Sequence, residues 1–336
     1  MSITPKPDLK DRKILYALDI NARQPDLKIA KKVGLSQQAV NYRIRNLVKR
    51  GIIREFYTVI NIAKLGYTYY KVYFKLQNIT PEKEREIIDF LVNHNNLIWI
   101  GTCSGRWDIS ISIAAKNIIQ FNRIARTITN EFSGYIQSKD ILTVSEIPHF
   151  TRAYLLEKES NIELIEFGSE PKETRLDETD KKIISRIAVN ARYGYPQLAG
   201  DLNLSTDIVR YRIKKLQEDK IILGYRAWID LDQIGYQFYK VLLSLQNINE
   251  KRERTLLNYC RQQPNIVYIL KTIGSWDMEL EFEIKDIKEF NKAVMELRNK
   301  FQDIIRNYEP LLIFREHKIN YYPNLEENTP SDTEKR

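Results

Sequence analysis

The sequence predicts an α+β fold made of two tandem units, and three observations predict it. The chain repeats itself at a constant offset of 169 residues, with no gap needed. Each copy opens with short stretches of helical apolar spacing, and each closes with strand-like and helix-like stretches in alternation. With 336 residues and 43% hydrophobic content, the chain can bury a core for each of several domains.

The repeat is plain in the residues. Asp8, Asp11, Lys13 and Ile14 recur as Asp177, Asp180, Lys182 and Ile183, and Asn21-Ala22-Arg23 recurs as Asn190-Ala191-Arg192. Over positions 8–53, 17 of 46 aligned residues are identical. The same offset carries Leu76-Gln77-Asn78-Ile79 onto Leu245-Gln246-Asn247-Ile248 and Trp107-Asp108 onto Trp276-Asp277. Between the copies, residues 157–176 are rich in charge and contain Gly168 and Pro171, the composition of a linker partly docked by its Ile and Leu residues. The segment from Pro323 to Arg336 is polar and is expected to be disordered. The expected domains are therefore 1–62 and 63–156, a linker at 157–176, then 177–231 and 232–322, with a tail at 323–336.

In the first unit, Asp8 is placed to cap a helix running to Asp19, with Ile14, Leu15 and Leu18 inward. Ile29, Ala30 and Val33 form a second apolar stripe ending at Gly34, whose counterpart is Asn203. Both residues suit the positive φ of a tight inter-helix turn. Ser36 caps a third helix to about Arg50, with Val40, Ile44 and Leu47 facing inward. This is the pattern of a helix-turn-helix.

The third helix carries the chemistry. It has no acid, while Arg43, Arg45, Lys49 and Arg50 give it four positive charges. A solvated helix normally mixes signs. Its outward residues Ser36, Gln37, Gln38, Asn41 and Tyr42, with Arg43, Arg45 and Lys49, are the types that bond base edges and phosphates of double-stranded DNA. Strand-like residues follow, including Arg54, where a wing could touch phosphate. The second copy offers Thr206, Arg210, Tyr211, Arg212 and Lys214, but three acids lower its helix charge to two, so the first copy is expected to bind more strongly. The bland alternative is a three-helix unit that supports only protein contacts.

The second half of each unit has the order βαββαβ. Tyr67–Leu76 is strand-like, Pro81–His94 helical and Leu97–Cys103 a strand. After the turn Ser104-Gly105-Arg106-Trp107, residues 108–113 alternate as a strand with one buried face. Asn117 caps a second helix, and Lys139–Ile147 closes as a strand. This is the ferredoxin-like arrangement, repeated at about 236–318. Its open sheet face has to be covered, and the tethered second copy is the simplest cover.

These motifs, D-x-x-D-(R/K)-K-I, N-A-R, V-G-L-S-x-x-x-V-x-x-R-I-x-x-L and the later G-R-W-D and G-S-W-D, resemble the Lrp/AsnC family of regulators over nearly the whole chain, twice. The resemblance implies a winged helix-turn-helix for promoter binding and a RAM-type domain that pairs through its sheets and often binds an amino acid. Family members are usually a single unit, so the fusion implies that one chain replaces a dimer, as an intramolecular pseudo-dimer or within a homodimer. The resemblance places an effector near Thr102, Ser104, Gly105 and Asp108, and near Thr272, Gly274, Ser275 and Asp277, the carboxylates holding an amino group. The alternative is that the glycines are turn residues and the two aspartates cap the turns.

Other classes find less support. No phosphate-binding glycine loop, nucleophile elbow or metal-spaced cluster occurs, and the two cysteines, Cys103 and Cys260, stand at non-equivalent positions. Siroheme decarboxylases share this architecture and need pocket histidines, whereas His94, His149 and His317 all lie outside the 101–108 loop and its copy. No apolar stretch reaches the roughly 18 to 20 residues of a membrane helix, and Met1 to Lys13 lack a signal-peptide core. The expectation is a cytoplasmic, sequence-specific DNA-binding transcription regulator, not an enzyme, with no cofactor, metal or membrane partner. The alternatives are an interaction or ligand-sensing module and, last, the decarboxylase.

Overall fold

Capping residues set where the helices begin. In a computed structural model describing residues 6–158, 162–168 and 170–322, the Asp8 carboxylate accepts from the Asp11 amide at 2.7 Å and starts α1 (Leu9–Ile20). α2 (Asp26–Val33) ends at Gly34 in the left-handed region, φ 64°, and Ser36 accepts from the Ala39 amide at 3.1 Å to start α3 (Gln37–Lys49). β1 (Ile53–Ile60) follows, then a single 3-10 turn at Ile62–Leu65.

The first βαββαβ domain comprises β2 (Thr68–Leu76), α4 (Pro81–Asn93), β3 (Leu97–Ser104), β4 (Ile109–Ala115), α5 (Ile118–Glu131) and β5 (Ile136–Phe150). A strand inside the expected linker, β6 (Glu163–Phe167), pairs antiparallel with the end of β5. The second unit repeats the series as α6 (Glu178–Val189), α7 (Tyr195–Leu202), α8 (Thr206–Glu218), β7 (Ile222–Ile229), a short α9 (Leu231–Ile234), β8 (Gln237–Leu245), α10 (Glu250–Gln262), β9 (Ile266–Ile273), β10 (Met278–Ile284), α11 (Ile287–Lys300) and β11 (Ile305–Ile319). Asn203, after α7, takes the left-handed conformation of Gly34, with φ 53°. The expected disordered tail lies outside the described residues.

Two pairings join the units. β1 pairs antiparallel with β7, from Ile53 opposite Ile229 to Ile60 opposite Ile222. The strands after the recognition helices therefore pair with each other across the repeat instead of each folding into its own hairpin wing. The remaining strands run β2-β4-β3-β11-β8-β10-β9-β5, and β5 pairs back onto β2, closing a ring to which both domains contribute. Closure leaves none of these strands as a bare edge along its whole length.

Ring closure supplies the cover that the open sheet face requires. The strand 109–115 is buried on both faces: Ile109, Ile111 and Ile113 pack with the helices, and Ser110, Ser112 and Ala114 lie on the opposite face, where Ser112 accepts from the Tyr69 hydroxyl at 2.8 Å. At the matching places β10 carries Glu279, Glu281 and Glu283, also buried. Glu279 accepts from Lys71 Nζ at 2.9 Å, and Lys240 pairs with Glu281, so a lysine of each domain is neutralised by one strand. Burial pushes Lys71 down to about 8 despite its carboxylate neighbour.

Candidate nucleic-acid interface and effector loops

The recurring Asn-Ala-Arg motif fixes one helix-turn-helix against the other. The Ala22 amide donates to the Tyr225 carbonyl at 2.9 Å and the Ala191 amide to that of Phe56 at 2.7 Å, a symmetric pair. Arg23 donates to the carbonyls of Ala191 and Tyr193, and Arg192 to that of Ala22. Each arginine thus crosses to the partner loop, which sets the relative placement of α3 and α8. Sequence reasoning saw the repeat of this motif but not its role, because the signal lies between copies.

α3 presents Ser36, Gln37, Gln38, Tyr42, Arg45 and Lys49 to solvent, with Tyr42 72% exposed. Arg45 and Lys49 form no ion pair among the described residues. Three of the expected contact residues are engaged elsewhere. Arg43 Nη1 lies 2.8 Å from Asp8 and 2.7 Å from Asp11, tying α3 to the start of α1. Asn41 donates to the Asp26 carboxylate at 2.9 Å. Arg54 stacks over Trp228 at 4.0 Å and donates to the Glu316 carbonyl, so it holds the barrel instead of forming a wing contact.

The second helix compensates its own charge. Arg212 is held by Asp177 at 2.6 Å and Asp180 at 2.9 Å, the counterpart of the Arg43 clamp. Hydrogen bonding to Arg212 keeps the Asp177 carboxyl below its ordinary value. Arg210 pairs with Asp207 and Lys214 with Glu218, both one turn apart on α8. Thr206 is the first residue of α8, behind the capping Ser205, and Tyr211 is 66% exposed. The D-x-x-D and R-I spacing found in sequence is thus a structural clamp in both copies.

The loops expected to hold an effector also carry structural bonds. Asp108 accepts from the Leu76 amide at 2.7 Å and from Lys75 Nζ at 3.0 Å, and Asp277 accepts from the Leu245 amide at 2.7 Å. Each carboxylate therefore ties its loop to the end of a neighbouring strand, Asp108 to β2 and Asp277 to β8. Thr102 is buried with its hydroxyl 3.1 Å from His317 Nε2, and buried Thr272 donates to the Trp276 carbonyl. A Cβ at Gly105 would meet Leu311 at 2.9 Å, and one at Gly274 would meet the Ile141 carbonyl at 2.9 Å. Each glycine lets its loop abut the other domain. Ser104 and Ser275 remain exposed.

His149 is fully buried with neither ring nitrogen hydrogen-bonded among the described residues, 4.6 Å from the Tyr268 ring. Burial, then Arg226 and Arg152, hold it well below its ordinary value. Burial lowers His94 and His317 to about 4. Among the described residues no group of His, Cys, Asp and Glu is arranged to hold a metal, and no helix is long and apolar enough to cross a membrane.

Comparison with known proteins agrees with these units. A winged helix-turn-helix DNA-binding family matches residues 7–54, and an AsnC-type helix-turn-helix domain matches residues 176–217. An uncharacterised HTH-type transcriptional regulator of Pyrococcus furiosus is 32% identical over 111 residues, 33% of this chain and 74% of that protein. HTH-type transcriptional regulator Ptr1 of Methanocaldococcus jannaschii is 32% identical over 121 residues, 36% of this chain and 80% of that protein. A solved structure of the siroheme decarboxylase NirDL covers 94% of both chains with TM-score 0.61 at 15% identity, a likeness of fold alone. With each regulator aligning to about one unit, the chain belongs to the Lrp/AsnC family of helix-turn-helix transcriptional regulators, with its unit present twice.

Proposed function

We propose that the chain binds DNA sequence-specifically as a covalent pseudo-dimer in which the first helix-turn-helix dominates. The observation that carries this reading is the charge of the two modules. Residues 7–54 hold twelve Lys and Arg against four acids, whereas the aligned residues 176–223 hold nine against seven. Nearly all of the chain's net charge of +9 thus resides on one module. Phosphate neutralisation scales with such charge, so the two half-sites should be bound unequally. Gln37, Gln38 and Tyr42 are the base-reading candidates on α3, and Arg45 and Lys49 the phosphate contacts. In the second copy Thr206, Arg210, Tyr211 and Lys214 supply a weaker surface. A protein that reads genomic DNA works inside the cell.

An effector would meet the exposed Ser104, Gly105, Gly274 and Ser275 at the loop tips, since Asp108 and Asp277 already bond the ends of β2 and β8. We infer an activity of binding and not of catalysis: the sealed imidazole of His149 offers a substrate no proton donor. Selection of genomic fragments on the purified chain, followed by anisotropy at two salt concentrations, tests the reading. Enrichment of an asymmetric two-part site with salt-sensitive affinity is the expected result. No enrichment, with a coloured tetrapyrrole retained through purification, would favour the decarboxylase instead.

A further inference from the structure

A groove of about 630 Å³ runs along the C-terminal half of α3. Ile44, Arg45, Val48 and Lys49 form one wall, Phe56 of β1 the floor, and Val189, at the end of α6 in the other unit, the far side. Val48 and Val189 are 42% and 54% exposed, which is unusual for two valines facing one opening. One end is closed by Arg192, whose guanidinium sits 5.5 Å from the Phe56 ring and 2.6 Å from Asp26. The result is an apolar strip flanked by Arg45 and Lys49, which form no ion pair among the described residues, with Arg54 and Glu55 beside Phe56 on the same lining.

The second unit shows how the same place looks when it is not a site. There Lys214, Gln217 and Glu218 replace Arg45, Val48 and Lys49, and Lys214 lies 3.4 Å from Glu218. Gly224 takes the position of Glu55, and Ile165 of β6 lies 2.7 Å from where its Cβ would stand. Tyr195 replaces Asp26 and receives Arg23 over its ring at 4.5 Å. The equivalent surface is therefore neutral, covered by the linker strand and without the paired valines.

A DNA backbone needs cations but has no use for an apolar wall. A ligand with both an anionic head and an apolar body uses both. We propose that this groove binds a small amphiphilic organic anion, its aliphatic or aromatic body on Val48, Phe56 and Val189 and its carboxylate, sulfonate or phosphate on Arg45 and Lys49. Since the same two cations are the phosphate contacts of the proposed function, the bound anion displaces DNA. That regulatory part rests on the DNA-binding reading; the binding of the anion does not.

Anilinonaphthalene sulfonate, an aromatic body with one sulfonate, is the probe. It is titrated by fluorescence into the full chain, into Val189→Asp and into Gln217→Asp, which alters the equivalent of Val48 in the second unit. All three are checked for unchanged thermal unfolding, since the substituted side chains are exposed. Saturable binding that weakens about tenfold or more in Val189→Asp but not in Gln217→Asp is the expected result. Equal affinity in all three, or no saturable signal, overturns the site. In a second arm the probe is added to the chain bound to labelled duplex DNA. Release of DNA from the unsubstituted chain but not from Val189→Asp supports displacement, and simultaneous binding of probe and DNA overturns it. A chain that binds the probe at this groove but no DNA at any salt concentration overturns the DNA-binding reading and leaves the groove as a ligand site.

Discussion

The two units share a fold and differ in how their corresponding positions are filled. On the first helix-turn-helix, α2 adds exposed Lys28, Lys31 and Lys32 to the cations of α3; the aligned positions on α7 are Gln197, Gly200 and Asp201. Deeper in the molecule the contrast changes kind. Asp19 lies 2.5 Å from both Arg152 and Arg226, and Arg152 pairs with Glu283 at 2.7 Å, all four buried and drawn from α1, the end of β5, β7 and β10. The related positions are Ala188, Tyr321, Tyr57 and Ala114. One junction between module and barrel is ionic and the other aromatic, with Tyr57 stacked on Tyr321 at 6.1 Å. Two fused copies need not obey the symmetry of a dimer, so each can specialise.

The largest expected effect comes from breaking the ionic junction. Asp19→Ala leaves two buried guanidiniums with Glu283 as their one carboxylate partner among the described residues, and should cost about 3 to 5 kcal/mol in urea unfolding. Tyr57→Phe on the aromatic side removes only a hydroxyl 3.3 Å from that of Tyr268 and should cost under about 1 kcal/mol. Comparable losses would mean that the two junctions bear equally on stability. On the DNA side, Arg45→Ala with Lys49→Ala should reduce the slope of log affinity against log salt by about 2, and Lys214→Ala with Lys215→Ala by less than about 1. Equal slopes would refute the dominance of the first module.

A smaller pair of effects concerns residues whose role the structure reassigns. Arg43→Ala and Arg212→Ala should each lower stability by roughly 1 kcal/mol while leaving base preference unchanged, because both arginines hold α1 or α6 instead of DNA. Histidine accounts for a pH limb. His149, His94 and His317 have folded values depressed below an unfolded value of about 6.5. The unfolded chain therefore binds more protons between about 4 and 6.5, so stability is complete above that window and falls as pH drops through it. His149→Phe should flatten this limb in melting temperature against pH; an unchanged limb would assign it to His94 and His317.

What was legible in the sequence were features written within one copy: the caps Asp8, Ser36 and Asn117, the turn residues Gly34 and Asn203, and the βαββαβ order. What was not legible lies between copies. Nothing local in Asn-Ala-Arg says that its arginine crosses to the other module, and Asp19 looks like the end of an amphipathic helix until Arg152 and Arg226, 133 and 207 residues away, are folded against it. The ring of strands likewise needs both copies, so the pattern of residues 108–113 shows one buried face and not what covers the other. Residues 163–167, Glu-Leu-Ile-Glu-Phe, do not alternate, and their two acids and the following glycine read as linker. Arg43 reads as a phosphate contact because an arginine on a basic helix looks the same whether it meets phosphate or, as here, a carboxylate one helix away.

The turn between the second and third helices gives the finest test of the comparison. Gly34 and Asn203 occupy the same left-handed turn, φ 64° and 53°, with different residues. Glycine adopts that conformation without steric cost but loses more freedom on folding, whereas asparagine tolerates it at a small price in strain. A Cβ at Gly34 would have Lys10 Nζ as its nearest neighbour at 3.5 Å, an ordinary contact, so space does not decide the outcome. Gly34→Asn should then shift stability by only a few tenths of a kcal/mol, and Gly34→Ala should cost about 1 kcal/mol, because alanine has the Cβ without the local side-chain hydrogen bond. Asn203→Ala should cost the same, if the turn is set by backbone conformation alone. A markedly larger loss at Gly34 would show that the Lys10 ammonium, which donates to the Val33 carbonyl at 2.5 Å, is part of the turn in the first unit and has no counterpart at Thr179 in the second.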